Sequence, residues 1–136
     1  MAFKIDQHSD LEFEITSMLD AGKASEIHLA QCVSNPDYKV AIKRCRRDSQ
    51  NTEEWLVQVE REISALHHLN SIETPEWSLD SPLENRLALT QSTIAERSII
   101  QLISVFDIDG LPAIALEIAP PSVTSVELDQ YMYVEV

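Results

Sequence analysis

The sequence predicts an α+β domain in which a five-stranded antiparallel sheet carries one main packed helix. Three observations indicate this fold class. Three consecutive segments alternate apolar and polar residues and are separated by short turn-forming stretches. A longer segment with apolar residues at steps of three and four follows them. Two further apolar segments then flank an Asp-Gly pair, which is typical of a β-hairpin.

The first three strands are predicted at residues 11–19, 26–33 and 38–45. The stretches "DAGKAS" and "SNPD" separate them, and both contain the small and polar residues that turns prefer. Because the connections are short, neighbouring strands are expected to run antiparallel. These strands therefore form a meander at the start of the domain.

The main helix is predicted from about residue 53 to about residue 68. Thr52 or Asn51 can cap its N-terminus, and Glu53 and Glu54 lie in the first turn, where the helix dipole favours negative charge. One apolar stripe follows the helical period and is expected to pack on the sheet. It consists of Leu56, Val59, Ile63 and Leu66.

An insertion is predicted at about residues 71–97, between the main helix and the fourth strand. Pro75 and Pro82 favour a loop in its first half. Its second half, "SPLENRLALTQSTIAER", favours a short helix with Ser81 as the cap and Pro82 at the first position.

The fourth and fifth strands are predicted at residues 98–106 and 111–118, and a short C-terminal helix within "SVELDQYMYVEV". Residues 1–10 are predicted to be an N-terminal tail, and residues 11–136 a single domain. A chain of 136 residues is long enough to bury one core.

The charge of the chain is strongly negative, because 10 Lys and Arg residues stand against 23 Asp and Glu residues, which gives −13. Such a surface repels phosphate backbones and anionic lipids, so neither a nucleic-acid nor a membrane partner is expected. Cys32 and Cys45 lack the spacing of a metal site, so no metal ligands are expected. With no signal peptide and no long apolar run, the sequence predicts a cytoplasmic location, with the nucleus as the alternative.

Three motifs occur in an informative order. "VAIK" lies on the third strand, "REI" lies on the main helix, and "IIQLISVFDIDGLPAIALEIAPP" follows the insertion. Together they resemble the N-terminal lobe of a eukaryotic protein kinase of the serine/threonine type, with its lysine strand, its helix glutamate, its fourth and fifth strands and its hinge. The resemblance covers about residues 11–132, interrupted by the insertion.

The resemblance implies a nucleotide site around two charged residues. Lys43 would contact the α- and β-phosphates of ATP, and Glu62 would pair with Lys43. The backbones of Glu117 and Ala119 would form part of an adenine-binding hinge at residues 117–121. The remaining implied positions are Gly22 in the phosphate loop, Ile27 and Ala41 over the adenine ring, and Leu116 as the gatekeeper.

Two departures from the family pattern bear on activity. Where the family has GxGxxG, this sequence has "DAGKAS", so only Gly22 matches and Asp20 brings a negative charge towards the nucleotide. A repelling charge at about 4–5 Å costs on the order of 3–4 kcal/mol at an effective dielectric of roughly 20. The sequence also contains no HRD and no DFG motif. We therefore expect no catalytic residues, no enzyme activity of the chain by itself, and vestigial nucleotide-site positions.

The leading interpretation is a non-catalytic, pseudokinase-like module that regulates or scaffolds a protein partner, such as a kinase or a kinase-associated complex. It implies no bound cofactor. The first alternative is a fragment or split half of an ATP-dependent serine/threonine kinase, with Lys43 and Glu62 retained. The second is an acidic decoy or inhibitor of a basic partner site.

The surface that a kinase C-lobe would occupy is expected to be covered. At about 25 cal/mol per Å², about 400 Å² left in water would forgo on the order of 10 kcal/mol. The expected covers are a protein partner, a second copy of the chain, the insertion, or the C-terminal segment.

Overall fold

The computed structural model describes residues 1–47, 52–73, 79–93 and 100–118. These residues form strands β1 (Phe13–Ala21), β2 (Ser25–Cys32), β3 (Lys39–Cys45), β4 (Leu102–Ile108) and β5 (Leu111–Leu116), and helices α1 (Thr52–Glu73) and α2 (Leu83–Thr93). All neighbouring strands pair antiparallel, in the order β1-β2-β3-β5-β4. The predicted fold class, a five-stranded antiparallel sheet with one main helix, is confirmed. The predicted C-terminal helix lies outside the described residues.

The hairpin of β4 and β5 turns through Asp109 and Gly110, as the Asp-Gly signal predicted. Both residues have positive φ, 53° and 80° respectively. This is the backbone of a type I′ turn, whose twist matches that of the flanking strands. Ile108 and Leu111 form the pair that closes the turn, which sets the register of the whole hairpin.

Helix α1 buries a different stripe from the predicted one at its N-terminal end. Trp55 is completely buried and donates a hydrogen bond from Nε1 to the carbonyl oxygen of Pro112 at 2.9 Å, whereas Leu56 is 43% exposed. The indole buries more apolar area than leucine and its N–H reaches a partner, so the helix rotates to favour it. Val59 and Leu66 are buried as predicted.

Helix α1 also continues to Glu73, past the predicted end at about residue 68. The extra turn places Asn70, which is 1% exposed, beside the start of β4. Its side-chain amide donates to the carbonyl oxygen of Ile100 at 3.2 Å and accepts from the backbone N–H of Leu102 at 2.7 Å. This clamp gives the end of the helix tertiary partners that the local sequence does not reveal.

The opposite face of the sheet is covered by α2 and by the N-terminal segment. Residues 1–10 were predicted to be a tail, yet Ile5 is completely buried. Phe3 exchanges two backbone hydrogen bonds with Phe13, at 2.9 and 2.7 Å, and Ser104 Oγ donates to the carbonyl oxygen of Ile5. The segment therefore packs on the sheet, because its apolar side chains cover the side of the sheet that α1 does not reach.

Helix α2 lies within the insertion, where a short helix was predicted. The carbonyl oxygen of Pro82 accepts from the amides of Asn85 and Arg86 at its first turn. Leu83 and Leu87 are buried against the sheet. The first residues of the predicted insertion, 71–73, belong instead to α1.

The sheet thus separates two apolar clusters. The cluster on the α1 side contains Ile27, Ala41, Cys45, Trp55, Val59, Leu66, Ile100, Leu102, Ile114 and Leu116. The cluster on the α2 side contains Ile5, Phe13, Ala30, Cys32, Val40, Ile42, Leu83, Leu87, Ile103, Phe106, Ala113 and Ala115. Neither helix in the described parts of the chain has the length and apolar character needed to cross a membrane.

Truncation of Ile5 tests the role of the N-terminal segment. Ile5→Ala should lower the free energy of unfolding by about 2–4 kcal/mol, because it leaves a cavity in the cluster on the α2 side. Ile15→Ala is the matched control, since Ile15 is 37% exposed on β1, and it should cost less than about 1 kcal/mol. Urea denaturation of both variants measures the difference. Equal losses would contradict the packing of the segment on the sheet.

Candidate functional site

The candidate site centres on a buried ion pair between β3 and α1. Lys43 Nζ lies 2.6 Å from Glu62 Oε1, and the two side chains are 0% and 8% exposed. Gln58 Nε2 donates to the same carboxylate oxygen at 3.3 Å. The expected pairing of Lys43 with Glu62 is therefore present. A charge-assisted hydrogen bond of this length is stronger than one between neutral groups.

The position of Lys43 follows from the alternation of β3. Ala41, Lys43 and Cys45 point towards α1, while Val40 and Ile42 point to the other side of the sheet. Transfer of an ammonium group from water into this environment costs several kcal/mol unless the group is paired. The glutamate on α1 is thus required by the burial of the lysine, and the pair joins the helix to the sheet.

The other predicted core positions of the site lie around this pair. Ile27 is in register with Lys43 on the neighbouring strand, and Leu116 is in register with Ala41. All three of these apolar residues are buried in the cluster on the α1 side. The structure therefore brings Lys43, Glu62, Ile27, Ala41 and Leu116 together.

Glu117, directly after β5, makes a structural contact of its own. Its backbone N–H donates to the carbonyl oxygen of Gln101 at 3.0 Å, and its Oε1 accepts from the backbone N–H of Gln101 at 2.9 Å. The side chain is 4% exposed. These two bonds attach Glu117 to Gln101, the residue directly before β4. Ala119, the other predicted hinge residue, lies outside the described residues.

The turn between β1 and β2 stands where the resemblance places the phosphate loop. The backbone N–H of Gly22 donates to the carbonyl oxygen of Ser25 at 2.7 Å, and that of Ala21 donates to Asp20 Oδ1 at 2.9 Å. Arg46 Nη1 donates to the carbonyl oxygen of Gly22 at 3.0 Å. Two amides of the turn are therefore bonded within it, whereas a phosphate-binding loop directs such amides at its ligand.

Gly22 has no conformational need to be glycine. A Cβ at this position would lie 3.6 Å from the carbonyl oxygen of Ser25 and 3.7 Å from its Oγ, which are ordinary contact distances. The one glycine that matches the family pattern is therefore compatible with a plain turn residue in the same backbone.

A second polar cluster, which the sequence did not reveal, lies on the α2 side of the sheet. Arg44 Nη2 is 2.7 Å from Asp109 Oδ2, Arg47 Nε is 3.2 Å from Glu26 Oε1, and His28 Nε2 is 3.5 Å from the same Glu26 oxygen. Register pairs Glu26 with Arg44 across β2 and β3. Strand alternation places Glu26, His28 and Arg44 on one face of the sheet, so this part of the cluster could have been predicted from the sequence. The contact of Arg44 with Asp109 depends on the distant hairpin of β4 and β5.

The titratable groups on these strands respond to burial. Burial lowers the pKa of His28 below its ordinary 6.5, and the nearby Glu26 opposes this shift. Burial also raises the pKa of the Cys45 thiol. Both cysteines are buried and free, as small apolar residues would be. Within the described ranges, no group of three or more His, Cys, Asp or Glu residues could hold a metal ion.

Comparison with known proteins gives a partial structural likeness. No protein-family model matches the chain, and no curated protein matches it. One chain in the structure of the CAK complex from Chaetomium thermophilum bound to ATP-gamma-S is similar, with a TM-score of 0.49 and 23% identity. The match covers 79% of this chain and 26% of that chain, so this chain spans about a quarter of its length. At this identity and TM-score the likeness carries no argument about function.

Replacement of the buried lysine tests its structural role. Lys43→Met should lower the free energy of unfolding by about 3–5 kcal/mol, because it leaves the carboxylate of Glu62 buried without its charge partner. The double variant Lys43→Met/Glu62→Leu is the matched control and should recover most of this loss, since apolar groups of similar size need no partner. Chemical denaturation measures both. A double variant as unstable as the sum of the two single variants would contradict this role.

Acidification should destabilise the protein through His28. Because the pKa of His28 is lowered in the folded state, the unfolded chain binds the proton first. The contribution of His28 to stability is thus complete above about pH 6.5 and falls as the pH drops through that value towards the lowered pKa.

Between about pH 7.5 and about pH 5.5, Tm should fall less in His28→Gln than in the native protein. His67→Gln, which changes an exposed histidine of α1, is the control and should follow the native profile. Thermal melts at several pH values provide the measurement. Parallel profiles for the native protein and His28→Gln would show that His28 does not contribute.

Proposed function

We propose that this chain is a kinase-N-lobe-like module that acts through protein–protein contacts, and that it does not transfer phosphate by itself. The proposal includes regulation or scaffolding of the partner, for which a kinase or kinase-associated complex is our first candidate. The observation that carries it is the turn between β1 and β2, in which the amides of Ala21 and Gly22 are bonded internally.

The turn opposes nucleotide binding in two ways. A phosphate group would have to displace Ser25 and Asp20 from the amides that they occupy. It would also approach the carboxylate of Asp20, a repulsion that water reduces because this side chain is only partly buried. The loss of these hydrogen bonds and the repulsion by Asp20 both weaken the binding of nucleotide itself, independently of any chemical step.

Lys43 is compatible with the same proposal. It is completely buried and bonded to Glu62, an arrangement that a structural role explains and that a nucleotide-binding lobe shares. In the proposed module its role is to fix α1 on the sheet. The loss of its charge should therefore affect stability more than partner binding.

The surface supports a protein partner. Leu56 and Val57, adjacent on α1, are 43% and 54% exposed, although the helix offers an apolar core on its other side. The net charge of −13 favours a partner with a basic surface and disfavours nucleic acid and anionic membranes. The two buried free cysteines are in keeping with a reducing compartment, so we place the protein in the cytoplasm or nucleus.

The second candidate is a fragment or split half of an ATP-dependent serine/threonine kinase. The Lys43–Glu62 pair favours it, because an active kinase lobe needs this contact. Recovered kinase activity on mixing with a catalytic lobe would support this candidate. The acidic decoy is the third candidate, and binding to a basic protein that does not weaken between about 50 and about 500 mM salt would count against it.

Addition of Mg-ATP tests the proposal directly. ATP at about a hundred times its Kd would stabilise the folded protein by about 2.7 kcal/mol, so a bound nucleotide would raise Tm measurably. We expect no increase in Tm and no phosphorylation of a generic substrate.

Asp20→Asn and Asp37→Asn provide a matched pair, because each removes one carboxylate charge in or beside a turn of the sheet. A gain in ATP affinity in Asp20→Asn alone would show that nucleotide reaches the turn. Phosphorylation of substrate by the native protein would overturn the proposal.

A further inference from the structure

The register of the hairpin determines which backbone groups of β4 face outward. Ile108 and Leu111 close a two-residue turn, so this pair exchanges both of its hydrogen bonds. Hydrogen-bonded and non-hydrogen-bonded pairs then alternate along the hairpin. Val105 and Asp107 occupy non-hydrogen-bonded positions, so their N–H and C=O groups point away from β5. Since β4 is the last strand of the sheet, these groups face the open edge.

The outward groups of Val105 and Asp107 have no hydrogen-bond partner among the described residues. The preceding part of the edge is already occupied. The N–H of Leu102 donates to Asn70 Oδ1, and the carbonyl oxygen of Ile103 accepts from Arg86 Nη1. The open stretch is therefore short and begins after Ser104.

The two edges of the sheet differ. β1 contains two register shifts, and its first residue pairs with Phe3, which are features that obstruct pairing with another strand. β4 has its single shift between Leu102 and Ser104 and continues in regular register to Ile108. Regular strand geometry with free backbone groups is the arrangement that accepts an added strand.

A cleft of about 380 Å³ lies along this stretch. Residues 104–107 form one wall and residues 5–8 a second wall, and Leu79 and Arg86 complete the lining. Side chains of consecutive strand residues point to opposite faces of a sheet. Residues 104–107 are consecutive, so a cleft that all four of them line must run along the edge of the sheet. The second wall is held in place by the bond from Ser104 Oγ to the carbonyl oxygen of Ile5 and by the ion pair of Asp6 with Arg86.

The cleft is acidic. Asp6 and Asp107 line it, and an adjoining cleft that shares Asp6 is also lined by Asp80 and Glu84. Arg86 lines the main cleft, but its guanidinium is 2% exposed and its charge is offset by that of Asp6, and His8 lines both clefts. The exposed carboxylate of Asp107 and the carboxylate of Glu84 in the adjoining cleft therefore set the sign of the accessible charge, which favours a basic occupant. A second copy of this chain would bring another net charge of −13 to the same edge, and the repulsion disfavours it as the occupant.

We propose that this edge binds an extended basic segment of a partner protein, which pairs as an added strand with the backbone of Val105 and Asp107. Lys or Arg side chains of the segment would reach the carboxylates of the cleft, and its backbone would bond to the open edge. This inference rests on the proposed function, since it names the surface and the chemistry of the partner.

A fluorescent peptide that alternates lysine with valine is the probe, and anisotropy measures its Kd. We expect saturable binding to the native protein that weakens between about 50 and about 500 mM salt. Val105→Pro removes the outward N–H but no bond between β4 and β5, and it should weaken binding about tenfold or more. Val105→Thr keeps the N–H and is the matched control, expected to bind like the native protein.

Two further measurements make the test independent of how the proline variant folds. A probe N-methylated at alternate residues keeps its charge but loses the donors of a strand, and it should bind about tenfold more weakly. Asp107→Lys reverses one charge of the cleft and should also weaken binding. A peptide with glutamate in place of lysine should not bind.

Each of four results would overturn the inference. They are no binding of the lysine–valine probe, equal binding by a folded Val105→Pro, equal binding of the glutamate peptide, and a native dimer in light scattering that Val105→Pro converts to a monomer. The last would identify a second copy as the occupant. Phosphotransfer by the native protein would instead overturn the proposed function and leave the edge site standing, so the two failures are distinguishable.

Discussion

The central constraint on this structure is that β3 is buried on both of its faces. From Val40 to Cys45 every residue is buried, so each side of the sheet needs its own cover. Helix α1 provides one cover. The N-terminal segment and α2 provide the other, and Arg86 joins them to β4 through its bonds to Asp6 and to the carbonyl oxygen of Ile103. Segments far apart in the chain thus belong to one structure because they cover the same strand.

The ion pair of Lys43 and Glu62 is a consequence of that burial. A charged side chain in the middle of a doubly covered strand needs a partner, and α1 supplies it at 2.6 Å. The same pair fits a nucleotide-binding lobe and a purely structural lobe, so it cannot by itself distinguish between these functions. The turn between β1 and β2 is more informative, because amides that bond to Asp20 and Ser25 are occupied before a phosphate arrives. The backbone hydrogen bonds of this turn are therefore better evidence about function than the side chains of Lys43 and Glu62.

The two edges of the sheet differ because the N-terminal segment contacts them differently. The N-terminal segment that covers the α2 side also pairs with the start of β1, where Phe3 bonds to Phe13, and so closes part of that edge. At the other edge the same segment ends its contact near Ser104 and leaves a cleft beside Val105 and Asp107. An acidic chain with one regular open edge is well suited to a basic, extended partner. This arrangement connects the interaction role we propose to a specific surface.

The sequence by itself determined the succession of strands along the chain and the Asp-Gly turn, because alternation and turn chemistry act over a few residues. The pairing of Lys43 with Glu62 was implied by the resemblance to the kinase N-terminal lobe. Only the tertiary structure decided that Trp55 rather than Leu56 faces the core, since that choice depends on the carbonyl oxygen of Pro112. It also decided that Ile5 is buried and that the amides of the β1–β2 turn are occupied. The burial of Trp55 and of Ile5 depends on partners whose positions are set by the completed sheet, whereas the amides of the turn bond to Asp20 and Ser25 within the hairpin itself. The local sequence pattern indicates which side chains need to be buried or paired. The residues that bury or pair them are determined by the assembled fold.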